Sequence, residues 1–242
     1  MRHILAIAAV TGIAIASPAS AAIDWSKVDE ALGKAGTNPP GDVHKYSLPR
    51  SDLQVTVDGV AIKPSLALGG WLAFKPMGEQ TMVMGDLVLT EQEINPVLTK
   101  LLADGITVTA VHNHLLRAQP ATFYMHVAGE GDPVKLATGL RDALSASRTP
   151  LGGTPAPAAQ ASVEPTGDGK AAITGDFVLM GKEVNPVVQT LRQNGIEVTA
   201  LHNHMLDDQP HAYFVHFWAN DDAMKLAQGL RAALDKVNVA KS

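Results

Sequence analysis

Val108-Thr109-Ala110-Val111-His112-Asn113-His114 returns ninety positions later as Val198-Thr199-Ala200-Leu201-His202-Asn203-His204, and each copy has a third histidine at a matching place, His126 or His216, in a second apolar run. The β-branched content and length of these runs predict strands. Side chains i and i+2 of a strand share a face about 6 to 7 Å apart. His112 and His114, and likewise His202 and His204, are therefore expected side by side, with His126 or His216 arriving from the next antiparallel strand. Three imidazoles so placed form a facial ligand set with one coordination position left open. By the same alternation Val108 and Ala110, with Val198 and Ala200, share the histidine face, so the imidazoles end an apolar row. Asn113 and Asn203 face the other way and are expected to anchor a loop or the partner repeat.

Working outward, Gly85 to Leu144 aligns with Gly175 to Leu234 without a gap, and about half of the positions are identical. One supersecondary unit is used twice. Each unit reads as strand (Thr81 to Leu89; Ala171 to Leu179), helix, strand (Ile106 to Leu115 in the first copy), strand (Thr122 to Ala128) and helix (Pro133 to Leu144). The expected fold class is α+β: two tandem β-α-β-β-α units, related by a pseudo-twofold, with extra N-terminal strands near Leu53 to Ile62 and Gly70 to Phe74 and a short helix around Trp25, Val28 and Leu32. Four segments are expected: 1–21 as a signal peptide, 22–149 as the first repeat with its extension, 150–161 as a Pro/Gly/Ala-rich connector, and 162–242 as the second repeat.

The first helix of each repeat is expected to start at Asn95-Pro96 and Asn185-Pro186, with asparagine as N-cap and proline at the first helical position. Thr90-x-x-Glu93 has the form of a capping box, but its counterpart begins with Met180, whose side chain cannot cap. Glu93 and Glu183 are thereby left free for another task. One reading is surface charge near a helix N-terminus, worth about 0.3 to 1 kcal/mol; the other places them by the histidines as orienting partners or general bases.

Met1 to Ala21 has a basic start, an apolar core from Ile4 to Ile15 and the small-residue sequence Ala19-Ser20-Ala21, the pattern of a cleaved export signal. The run is too short for stable membrane insertion, so a periplasmic or secreted location is expected. There is no cysteine, which removes disulfides and thiolate ligands. Of 19 Lys and Arg residues against 24 Asp and Glu, the segment 1–21 holds only Arg2, so the mature chain carries a formal charge of 18 minus 24, or −6. Nucleic-acid partners need a basic patch that this chain does not display.

The ligands on offer are thus His112, His114, His126, His202, His204 and His216, arranged as one site or two, for a divalent transition metal with zinc foremost. Histidines held structurally by Asp86, Asp176, Glu93 or Glu183 are the plainer alternative. His211 occurs only in the second copy and reads as a solvent residue, and Met125 and Met205 as apolar packing. No phosphate-binding glycine loop, HExxH or Gly-x-Ser-x-Gly elbow is present. Three functional readings remain: a metal-binding or small-ligand-binding protein, a zinc-dependent hydrolase or lyase acting on a small molecule with Glu93 and Glu183 as bases, and a structural protein with core histidines.

Through Gly85-Asp-Leu-Val-Leu, Glu93-x-Asn-Pro, Val108-Thr-Ala-x-His-Asn-His and the closing Leu-Ala-x-Gly-Leu-Arg-x-Ala-Leu, the chain resembles the LppY/LpqO family, also known as DUF1259, from about Asp24 to Lys236. The resemblance implies a bacterial secreted or periplasmic protein, a lipoprotein in mycobacterial members, and supplies no reaction. This chain lacks the lipobox cysteine of those members.

Overall fold

The structure is a computed structural model that describes residues 23–152 and 161–238. The expected signal segment and most of the connector lie outside the described residues. The first part of the chain runs α1 (Trp25–Leu32), β1 (His44–Pro49), β2 (Val55–Val57), β3 (Val60–Ile62), β4 (Gly69–Met77), β5 (Gln80–Thr90), α2 (Glu91–Ala103), β6 (Thr107–His112), β7 (Thr122–Gly131) and α3 (Pro133–Leu144). The second runs β8 (Ala161–Gly167), β9 (Lys170–Met180), α4 (Gly181–Gln193), β10 (Glu197–His202), β11 (Ala212–Asp222) and α5 (Ala223–Leu234). The order strand, helix, strand, strand, helix recurs as β5 to α3 and β9 to α5. All strand pairing is antiparallel, in a five-stranded sheet β1-β4-β5-β7-β6, a four-stranded sheet β10-β11-β9-β8 and the hairpin β2-β3.

Strand alternation sorts the side chains into layers. Val83, Leu87, Leu89, Met125 and Val127 face α1, α2 and α3 in one core, while Phe177, Leu179, Val215 and Phe217 face α4 and α5 in another. The opposite faces meet through a third cluster that joins Val88 and Tyr124 of the first sheet, Ala172 and Trp218 of the second, and Val55, Val57 and Ile62 of the hairpin. The two sheets therefore lie back to back with helices outside, and the histidine-bearing faces turn inward.

Gly85 marks a close approach within the first sheet. A Cβ there would meet the Trp71 carbonyl oxygen at 2.7 Å, so glycine is required beside Asp86.

The expected helix starts need correcting. Both first helices begin about five residues earlier, after Thr90 and Met180, and Pro96 and Pro186 sit inside them. The Glu93 carboxylate accepts the Thr90 N–H at 2.9 Å, and Glu183 accepts the Met180 N–H at 2.8 Å. This half of the capping box uses only the N-cap backbone, so methionine serves as well as threonine. Asn95 and Asn185 are thus helical residues rather than caps, and each proline gives up a single intrahelical bond near the helix start. Two strands lie where none is expected, β1 and β8. Both are sheet edges that contain a proline, Pro49 or Pro165, which an edge tolerates because one row of N–H groups has no neighbour to bond.

Candidate metal centre

A bulge decides where the histidines point. In the β6–β7 ladder Val108 pairs with Val127 but Ala110 pairs with His126, so two residues of β6 oppose one of β7. The same shift falls between Val198 and Ala200 in β10. Paired residues share a face, so Val108 and Val198 pack in the helix-side cores, whereas Ala110 and His112, with Ala200 and His202, turn toward the other sheet. The expectation of one apolar row running up to the imidazoles is corrected accordingly. Without the extra residue His112 would face the helices.

All six histidines converge between the sheets. The rings of His112 and His202 lie 3.9 Å apart, and His114 and His216 lie 3.7 Å apart, as do His204 and His126. The ninety-residue offset exchanges the last two pairs and maps the first onto itself, so an approximate twofold axis passes between His112 and His202. His114 stacks on Tyr124 at 3.5 Å and His204 packs at a tilt against Phe214 at 3.7 Å, which orients the two rings that follow the strand ends. Nε2 of His114 and Nε2 of His112 share a 2.8 Å hydrogen bond, and so do those of His216 and His202.

Three groups are close enough to hold an ion: His112, His114, His202 and His216; His126, His202 and His204; and Asp86, His114 and His126. The first two draw ligands from both repeats. Asp86 is a member that the sequence reading treats only as a bonding partner. It pairs with His126 across β5 and β7, and its oxygens stand 3.6 Å from His126 Nε2 and 3.9 Å from His114 Nε2. Its signal in the sequence is the repeated Gly-Asp, since Asp176 pairs with His216 in the same way. Among the described residues, both ring nitrogens of His126, Nδ1 of His112 and Oδ1 of Asp86 are buried without a hydrogen-bond partner. Each such orphan costs about 1 to 3 kcal/mol.

Burial and mutual repulsion hold the imidazoles neutral. His112 and His216 are pushed down to about 2, His126 and His204 to about 3, and His114 and His202 are lowered as well, with burial the largest cause in every case. Burial pushes Asp86 up to about 8 and Asp176 to about 6. Neutral imidazoles with free lone pairs are the form that metals bind. A cleft of about 520 Å³ is lined by Lys45, Trp71, Asp86, Asp176, His114 and His216, among others.

Glu93 and Glu183 are engaged elsewhere. Besides its cap, Glu93 accepts Arg50 Nη1 at 2.8 Å and the Arg148 N–H at 2.8 Å, and Glu183 accepts the Asn238 N–H at 3.0 Å. Both sit at the helix starts, outside each of the three histidine groups, and these hydrogen bonds run to backbone N–H groups and to Arg50. Asn113 donates to the Thr122 carbonyl and Asn203 to the Ala212 carbonyl, each across its own strand connection. His211 is exposed and bonds Asp208 at 2.8 Å.

Residues 26–146 and 152–236 match a family described as a domain of unknown function, DUF1259. The chain belongs to that family. No curated protein matches. Solved structures with some likeness include the trimeric bacterial microcompartment shell protein PduB (14% identity, 84% of this chain and 90% of that one, TM-score 0.28), EtuB from Clostridium kluyveri (9%, 84% and 89%, 0.25) and a double-ringed trimeric shell protein of the RMM microcompartment (7%, 69% and 87%, 0.24). TM-scores this low say nothing of how this chain folds, binds or assembles.

Proposed function

We propose that this protein binds a transition-metal ion between its two repeats, on imidazoles that both repeats supply, as one shared centre rather than two. The observation that carries this reading is His126, buried with neither ring nitrogen bonded. A structural histidine has its nitrogens satisfied, whereas a ligand keeps a lone pair for the ion. Supporting it, His112 and His202 stand on the axis, where each serves both halves. We place the protein beyond the cytoplasmic membrane on the strength of Met1 to Ala21; among the described residues no helix is long and apolar enough to cross a membrane.

Elemental analysis of tag-free protein tests the reading. About one ion per chain is expected, and His112→Ala should release essentially all of it. Release of only half would restore two independent sites, and no metal in either protein under replete conditions would defeat the proposal.

A hydrolase or lyase acting on a small molecule has one observation of its own. The cleft is lined by Asp86, a buried carboxyl beside His114 and His126 that would serve as the proton-moving group there. Turnover in a broad substrate screen that is lost in Asp86→Asn with metal retained would favour the enzyme over the binding protein.

A further inference from the structure

The cleft lined by both sheets holds one cation that the metal centre does not use. Lys45 is the only lysine or arginine among its lining residues. The ammonium lies 5.2 Å from the centre of the Trp71 ring, a cation–π contact that holds the half-buried chain over the indole. Among the described residues no carboxylate or carbonyl bonds that ammonium, and burial alone lowers its pKa. Other cations that tie the two repeats or their elements together are paired, Lys63 with Glu164, Lys100 with Asp142, and Arg117 with Asp58 and Glu197. A partly desolvated charge without a partner is costly to keep in a concave site, and an incoming anion offsets that cost.

Strand register sets where that charge sits. Across the inner face of the first sheet Ser47 pairs with Trp71, Trp71 with Asp86 and Asp86 with His126, one row from the β1 edge to the histidines. Lys45 is two residues from Ser47 on β1, so it shares that face one row away. With strands about 4.8 Å apart, the Lys45 and Asp86 backbones stand roughly 12 Å apart, and the lysine spans part of that distance by reaching over Trp71. The wall also includes Pro64, Leu66, Ala67, Tyr124 and Phe214, an apolar lining for the body of a ligand. A volume of about 520 Å³ lies within the range of about 300 to 1,000 Å³ that takes small organic molecules. The cation belongs to β1, which has no counterpart in the four-stranded second sheet, so the cleft has a single positive end despite the duplication.

We infer that this cleft binds a small organic carboxylate, a monoanion whose charged end pairs with Lys45 and whose apolar body lies toward Asp86 and the histidines. One ammonium is a point charge, without the fork of an arginine or the set of N–H donors that recognises a phosphate group. A second negative charge on the ligand would meet Asp86 and Asp176, the buried acids that line the same cleft, so a dianion is disfavoured. The carboxylate site goes beyond the metal-binding reading and needs no ion, since Lys45 belongs to none of the three histidine groups.

Titration calorimetry tests this on the full tag-free chain, stripped with a chelator so that no ion can hold a carboxylate. Benzoate, phenylacetate and hexanoate are the probes, each beside its neutral amide, with phenyl phosphate as the dianion. At least one carboxylate should bind about tenfold or more tighter than its amide, the gain of one charge-assisted hydrogen bond. Lys45→Met should bring that pair to within about threefold, while Lys45→Arg keeps the preference for the carboxylate. Circular dichroism checks that both variants are folded, and the charge-retaining variant separates loss of the cation from any disturbance of β1. No binding of any carboxylate at millimolar concentration, a preference that survives in Lys45→Met, or phenyl phosphate bound more tightly than every carboxylate would each overturn the carboxylate site. The stripped protein carries no ion in this titration, so those outcomes leave the metal-binding reading standing, and a failure to take up metal leaves the carboxylate site standing.

Discussion

His112 and His202 occupy the same position of the two repeats, and their rings lie 3.9 Å apart across the approximate twofold axis. Each repeat alone therefore owns only part of the centre. The duplication and the site are one device: a bulge in each copy swings a histidine off the helix-facing side of its sheet, and packing the two sheets back to back brings the displaced rings together.

Acid should destabilise the metal-free protein. The six histidines have folded pKa values below the ordinary 6.5, so below that pH the unfolded chain binds more protons than the folded one. Stability then falls as pH drops below about 6.5 toward the lowered folded values. Thermal unfolding of apo protein between pH 7 and 4 should show a falling Tm, with a shallower fall in His126→Ala. A slope unchanged by that substitution would contradict the burial of a neutral ring.

Glu93 and Glu183 should behave unequally despite their matching places. Arg50 is fully buried, and its guanidinium bonds Glu93, Asp52 and the Val88 carbonyl. Glu93→Ala leaves that charge without a main partner and should cost about 3 to 5 kcal/mol. Glu183 has two backbone N–H partners, and its removal should cost about 1 kcal/mol. Urea unfolding reads both. Metal content should follow neither substitution, and loss of metal from folded Glu183→Ala would return that glutamate to the centre.

Much of this arrangement is legible in the sequence, and what is not has definite causes. The repeat order, the helices α3 and α5, and the recurring histidines are readable because periodicity and the ninety-residue offset are properties of the chain alone. The inward turn of His112 is not readable, since Val108-Thr109-Ala110 alternates perfectly and only the β7 register reveals the extra residue. The starts of α2 and α4 are misread because Asn-Pro is a strong local cap signal, outweighed here by a carboxylate that needs only a backbone donor. Convergence of the two sites depends on sheet packing, which no local pattern reports.

The hairpin β2-β3 separates the repeats energetically. It covers Val88, which is 2% exposed, while the equivalent Val178 is 51% exposed. Val88→Ala should cost about 2 kcal/mol and Val178→Ala less than about 0.5 kcal/mol. Equal shifts in the urea midpoint would mean that the hairpin does not pack as described.

Asp86 offers the sharpest separation of folding from binding. Its carboxyl is buried beside His114 and His126 and raised to about 8, against an ordinary value of 3.8, so between those values the folded apo protein binds a proton that the unfolded chain releases. A group raised in this way contributes stability that is present at low pH and is lost as pH climbs through the folded value. Asp86→Asn keeps the shape and removes the titration, so the apo variant should gain stability relative to the parent as pH rises from about 6 to 9. Metal should respond in the opposite sense. A bound cation favours the carboxylate next to it, and replacing that charge with an amide should weaken binding by about tenfold to a hundredfold. Calorimetry of apo protein at pH 6 and 9, set beside metal titration of the same variant, should therefore move in opposite directions; an Asp86→Asn protein that is less stable at pH 9 and binds metal as tightly as its parent would remove Asp86 from the centre.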